Sequence, residues 1–160
     1  MKLVINKCFG GFGLSHKAIM RYAEIKGFKL YRYYEDRDVK SRKIYLWKEG
    51  DAEPHLSYYY SDPNLTQFPE SSESTDLDYE QAIEELDEIV SVPDYSTKMF
   101  YERYLERNDP ILVLVVEELG SEANGQYANL SIVDIPEDVR WEIDDYDGME
   151  SVEEKHRSWG

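Results

Sequence analysis

Gly10, Gly11 and Gly13 stand between the apolar run Leu3-Val4-Ile5 and Ser15, the arrangement in the chain closest to a known chemistry. A strand, a glycine-rich turn and a serine-capped helix together present backbone N–H groups to an anion. Lys7 before the turn, and His16 with Lys17 after it, would add positive charge. The candidate ligand-binding residues on this reading are Lys7, Gly10, Gly11, Gly13, Ser15 and His16. The spacing matches neither G-x-x-x-x-G-K-[ST] nor G-x-G-x-x-G, so neither phosphate-loop fingerprint is met. The competing reading is structural: the glycines supply the unusual dihedrals of a tight strand-to-helix turn, with Phe9 and Phe12 filling the core.

Other reactive side chains are sparse. Cys8 lacks a histidine at any informative spacing and reads as a small packed residue rather than a nucleophile. At the C-terminal end, His156 lies beside Arg157 and within helical reach of Glu153, where it could act as a base with Arg157 binding an anion. The competing reading there is an end-segment in which Val152 and Trp159 dock on the body. His55 reads as a sheet-surface residue. One cysteine and three scattered histidines match no common zinc pattern and no disulfide framework. The chain therefore names no catalytic residue, metal site or cofactor.

Charge is the strongest signal. The net charge is -16, with 18 lysines and arginines against 34 aspartates and glutamates. Residues 1–50 are nevertheless net +7, and no lysine or arginine occurs between Lys48 and Lys98. Two blocks of ten carboxylates, Glu70 to Asp94 and Asp134 to Glu154, hold much of the excess. Such a chain repels nucleic acid and anionic membrane and attracts basic partners. Seven of the fourteen tyrosines lie between Tyr31 and Tyr60, and tyrosine is enriched among residues that dominate interfaces. Candidate partner-binding residues are Tyr58, Tyr59 and Tyr60 with Glu80, Glu84, Asp87 and Glu88.

The elements that must position these residues follow from periodicity and punctuation. Lys2 to Asn6 reads as a strand. Ser15 caps a helix that Gly27 ends, with Ile19, Tyr22 and Ala23 on one stripe. Phe28 to Tyr34 and Lys43 to Lys48 read as a hairpin, with His55 to Tyr60 a third strand. Helices are expected over Thr75 to Val90, whose outer side carries the four partner-binding carboxylates, and over Ser96 to Arg107. Ile111 to Val116 has the composition of a buried strand, but Asp109, Pro110 and Gly120 are helix boundary residues, so a helix is expected. Leu130 to Ile135 and Val139 to Ile143 read as a hairpin around Pro136-Glu137-Asp138.

This order predicts an α+β fold in which helices pack on a mainly antiparallel sheet. At 160 residues a single domain is expected. Residues 1–27 and 105–159 should share one core, with 28–104 a variable insertion. The longest apolar run, Ile111 to Val116, is far short of the roughly 18 residues that span a bilayer, and the first residues lack the apolar stretch of a signal peptide. A cytoplasmic protein is expected.

The string Asn6-Lys7-Cys8-Phe9-Gly10-Gly11-Phe12-Gly13-Leu14-Ser15 resembles the opening of a group of small proteins encoded by tailed phages and prophages. The stretches Arg107-Asn108-Asp109-Pro110 to Glu117-Glu118-Leu119-Gly120, and Ile143-Asp144-Asp145-Tyr146-Asp147-Gly148-Met149-Glu150 to Glu154-Lys155-His156-Arg157-Ser158-Trp159, resemble the same group. The resemblance implies a phage accessory protein acting in the host cell and assigns no catalytic residue. A binder that blocks a host protein with a basic surface, such as a defence nuclease or other nucleic-acid-binding factor, is then the leading expectation. The alternatives are a sequestering protein, or a small enzyme, for an anionic nucleotide-like ligand at the glycine loop.

Overall fold

A computed structural model describes residues 1–35, 43–67 and 99–155. The expected helix over Thr75 to Val90, with Glu80, Glu84, Asp87 and Glu88, lies outside the described residues, as do His156, Arg157 and Trp159. The chain is an α+β protein whose described strands all pair antiparallel. It divides into two compact units, Met1–Phe28 with Tyr101–Gly160, and Lys29–Phe100.

In the first unit, strand β1 (Lys2–Asn6) pairs with β6 (Leu130–Asp134) over five residues, from Lys2 opposite Asp134 to Asn6 opposite Leu130. Leu3, Val4 and Ile5 are all fully buried, so β1 is covered on both faces and its sequence shows no alternation. Helix α1 (His16–Lys26) begins at Ser15, whose Oγ accepts the Ala18 N–H at 3.1 Å. Its buried stripe is Ala18, Ile19, Tyr22 and Ala23. Helix α2 (Pro110–Leu119) begins at Asp109, whose carboxylate accepts the Ile111 N–H at 2.7 Å. It packs on α1, β1 and β6, burying Leu112, Val113, Val115 and Val116. The boundary residues decide the conformation here against the strand-like composition, because a capped first turn offsets the nucleation cost that β-branched residues aggravate.

The two helices are tied at one point. The Tyr22 hydroxyl donates to Asp109 Oδ2 at 2.6 Å, and Lys26 Nζ stands 2.9 Å from the same oxygen. Burial pushes the Asp109 carboxyl up, but the Tyr22 hydroxyl, Lys26 and the Ile111 N–H outweigh it and hold the group below the usual aspartate range.

Two sequence expectations are corrected. The expected hairpin of Leu130 to Ile135 with Val139 to Ile143 does not form. Instead β6 pairs with β1, and β7 (Trp141–Tyr146) pairs with β8 (Met149–Glu154). The reason is the dipeptide Asp147-Gly148, with φ of 52° and 85°, a two-residue turn of the mirror-image type that matches strand twist. Glu150, Val152, Glu153 and Glu154 are thus strand residues of β8. The expected helix over Ser96 to Arg107 is, in its described part, strand β5 (Met99–Phe100) followed by a single turn at Glu102–Tyr104. Met99 and Phe100 pair with Tyr60 and Tyr59, a ladder that the aromatic, β-favouring composition supports.

The second unit is a four-stranded sheet in the order β3-β2-β4-β5, with β2 at Tyr31–Glu35, β3 at Ile44–Leu46 and β4 at Tyr58–Tyr60. Its core is Tyr33, Ile44 and Tyr60, with Tyr31, Leu46, Tyr58, Leu65 and Met99 against it. Tyrosine fills this core because each ring buries large apolar area while its hydroxyl finds a partner. The Tyr33 hydroxyl donates to the Asp62 carbonyl at 2.7 Å and accepts the Leu65 N–H at 3.2 Å. Burial holds that phenol above its ordinary pKa. Arg32 is also buried, stacked 4.7 Å from the Trp47 ring and bonded to Ser57 and Glu53.

Candidate functional site

The glycine-rich loop joins β1 to α1 and is enclosed by two other turns of the first unit. On one side runs the segment from the short helix Gly120–Ala123 to Asn129. The Ser15 N–H donates to the Ala123 carbonyl at 2.9 Å, the Gly125 N–H to the Gly13 carbonyl at 2.9 Å, and the Lys7 N–H to the Asn129 carbonyl at 2.8 Å. On the other side is the Asp147-Gly148 turn. A side-chain carbon on Gly148 would stand 2.5 Å from the Gly11 nitrogen, and one on Gly10 would stand 1.6 Å from the Tyr127 carbonyl oxygen. Gly10 is therefore glycine because another backbone occupies the space a side chain would take.

Asn6 organises this meeting of turns. It is fully buried at the end of β1. Its Nδ2 donates to the carbonyls of Cys8 and Gly148, each at 2.6 Å, and its Oδ1 accepts the Asn129 N–H at 2.8 Å. The Cys8 thiol lies 3.3 Å from the same Oδ1 and 3.0 Å from the Tyr127 carbonyl. The amide thus fills its hydrogen-bonding capacity with groups from three separate turns.

The Asn6 backbone N–H donates to Glu150 Oε2 at 2.8 Å, and the second Glu150 oxygen accepts from Arg107 Nη2 at 2.8 Å. Both partners of this ion pair are enclosed, at 3% and 14% side-chain exposure. The Arg107 guanidinium also lies 3.3 Å from the centre of the Phe12 ring. Burial lowers the Arg107 pKa, while Glu150 and, more weakly, Asp145 act to raise it. Sequence reasoning assigned no role to Asn6, Arg107 or Glu150. The fold brings these three, far apart in the chain, to one point.

The residues singled out earlier have these positions. Lys7 and Gly10 are exposed, and Gly11 and Gly13 are half-buried in the loop. Ser15 Oγ donates to the Glu122 carbonyl at 2.6 Å while capping α1, and Lys17 pairs with the Glu122 side chain. His16 is half-buried beside the cap. Phe12 is in the core as expected, but Phe9 is exposed, because the loop turns it outward where the Asp147-Gly148 turn abuts. Tyr59 and Tyr60 are core residues at 5% and 4% exposure, and Tyr58 is half-buried. His55 is exposed. Among the described residues no group of three or more His, Cys, Asp or Glu side chains could hold a metal ion, and no helix is long and apolar enough to cross a membrane.

No protein-family model, curated protein or solved structure matches the chain.

Proposed function

We propose that the protein acts by binding a macromolecular partner with a basic surface and carries out no turnover of its own. In the cell where it is made the partner would be a nucleic-acid-binding factor, such as a defence nuclease, whose basic groove the carboxylates occupy in place of phosphates. One observation carries this reading: among the described residues, Asn6, Cys8, Ser15, Arg107 and Glu150 are engaged in bonds within the fold, while the carboxylates of β7 and β8 other than Glu150 face solvent. Dense fixed negative charge can compete with duplex phosphates, which carry one charge per about 1.7 Å of axis. Attraction of this kind accelerates association and fades as salt shortens the screening length.

The test is affinity capture from lysate of the producing cell, followed by release in rising salt and by competition with duplex DNA. A nucleic-acid-binding protein eluted between about 0.1 and 1 M salt and displaced by DNA is the expected result. A partner that keeps its DNA while bound, or turnover of a nucleotide by the purified protein, would overturn the proposal.

A further inference from the structure

The solvent side of the β7–β8 hairpin is a ladder of three rungs. Residues directly opposite on an antiparallel pair project to the same face. The register sets Glu142 against Glu153, Asp144 against Ser151 and Tyr146 against Met149. The three carboxylates, Tyr146 and Met149 are exposed, whereas Trp141, Ile143 and Val152 are half-buried on the other face.

Two properties of this ladder cost the isolated chain stability. Glu142 and Glu153 are like charges on one rung, where they repel, and Lys155 reaches Glu142 only at 4.0 Å. At the far end the Tyr146 ring is 70% exposed, and Phe9 and Tyr127, on the two turns that meet there, are 62% and 63% exposed. The three turns touch through backbone, since a side-chain carbon on Gly148 would come within 2.9 Å of the Phe9 carbonyl oxygen and one on Gly10 would overlap Tyr127. Exposed apolar residues on adjoining turns beside charged ones mark interaction surfaces.

Resting on the binding reading above, we propose that this ladder and its aromatic end are the surface that meets the partner, and that the element they receive is an arginine-rich segment of a polypeptide. Charge complementarity selects it, since Asp144 and Asp147 lie beside the aromatic end and Glu142 and Glu153 stand two rungs away on the same face, where the cations next in register are Arg140 and Lys155. Arginine fits better than lysine because its planar guanidinium grips a carboxylate in two places and stacks on an aromatic face. The protein already uses that combination internally, where Arg107 is held between Glu150 and the Phe12 ring. An incoming arginine relieves the repulsion between Glu142 and Glu153, so the cost built into the free ladder becomes affinity in the complex.

The test is fluorescence-anisotropy titration of a labelled oligoarginine peptide with the full chain at low salt, beside the unfolding midpoint of each variant. Glu153→Lys should raise the midpoint, because the repelling rung becomes an attracting one, and should weaken peptide binding about tenfold. Tyr146→Ala should weaken binding by a similar factor with the far-ultraviolet dichroism unchanged, and oligolysine of equal length should bind less tightly than oligoarginine. Glu137→Lys, an equal change of charge away from the ladder, should leave binding within about twofold of wild type. Equal losses in Glu137→Lys and Glu153→Lys would overturn this surface in favour of net charge alone. Binding unchanged in Glu153→Lys and Tyr146→Ala would overturn the surface while leaving the binding reading intact. A wild-type protein that does not bind the peptide at all would remove the basic-partner reading with it. A dimer in sedimentation that Tyr146→Ala dissociates would make a second copy the occupant and overturn the proposal.

Discussion

Asn6 and Gly148 are 142 residues apart in the chain, and the amide of the first donates to the carbonyl of the second at 2.6 Å. That bond closes the β7–β8 turn onto the end of β1, and the other bonds of the same amide fix the turns at Cys8 and Asn129.

Asn6→Ala should therefore destabilise the fold by about 3 kcal/mol, since it leaves two carbonyls and one N–H without their partner in a buried place. Urea denaturation checks this through the midpoint. Asn6→Asp should be no better, because a carboxylate cannot donate to the two carbonyls.

Glu150→Gln keeps the size of the side chain and its acceptor for the Asn6 N–H but strands the Arg107 charge, with an expected loss of about 3 kcal/mol. Combining it with Arg107→Met should recover part of that loss, because the thioether can pack on Phe12 with no charge to compensate. A double-mutant cycle read by denaturant unfolding measures the recovery, and additive losses would contradict the coupling.

Acid should loosen the junction of α1 and α2. Asp109 has a depressed pKa in the folded chain, so its contribution is complete above the unfolded value of about 4 and is lost as pH falls through the folded one. Asp109→Asn should cost about 1 kcal/mol at neutral pH. The difference between variant and wild type should hold above about pH 5 and shrink as pH falls below about 4, which thermal melts across that range would show.

The glycines of the loop should differ in their tolerance of a methyl group. Gly10→Ala and Gly148→Ala place a carbon against backbone atoms at 1.6 Å and 2.5 Å, and each should cost about 3 kcal/mol or more. Gly11 has a φ of 82° with no neighbour within 4 Å, so Gly11→Ala should cost only about 1 kcal/mol of backbone strain. A reversed order in chemical denaturation would mean that the loop is shaped by something other than the turns against it.

The two described helices were legible because their evidence is local. Ser15 with Gly27, and Asp109-Pro110 with Gly120, state where each helix starts and stops, and for α2 they prevail over an apolar run with the composition of a strand. Strand partners were less legible, because pairing depends on residues far apart. Leu130 to Asp134 carries no local mark that its partner is Lys2 to Asn6. Asp147-Gly148 did carry a mark, and reading the chain from that dipeptide outward gives β7 and β8 directly. The tyrosines between Tyr31 and Tyr60 were open to two readings because a ring with a hydroxyl suits both an interface and a small core. Burial of Tyr33, Tyr59 and Tyr60 decides for the core. Asn6 was hidden for another reason: one asparagine after an apolar run is ordinary until the three turns it bonds are assembled around it.

The pairing of β1 with β6 also sets an order on synthesis. Every residue of Lys29–Phe100 is made between the two strands, and ribosomes add about 5–20 residues per second. The nascent first strand therefore waits on the order of ten seconds before Leu130 and its neighbours emerge, with Leu3, Val4 and Ile5 still without the cover of β6 and α2. An uncovered apolar strand is a template for pairing with other chains. Chains released by premature termination before residue 130 should thus be the principal source of aggregate during expression, and chaperone demand should peak in that interval.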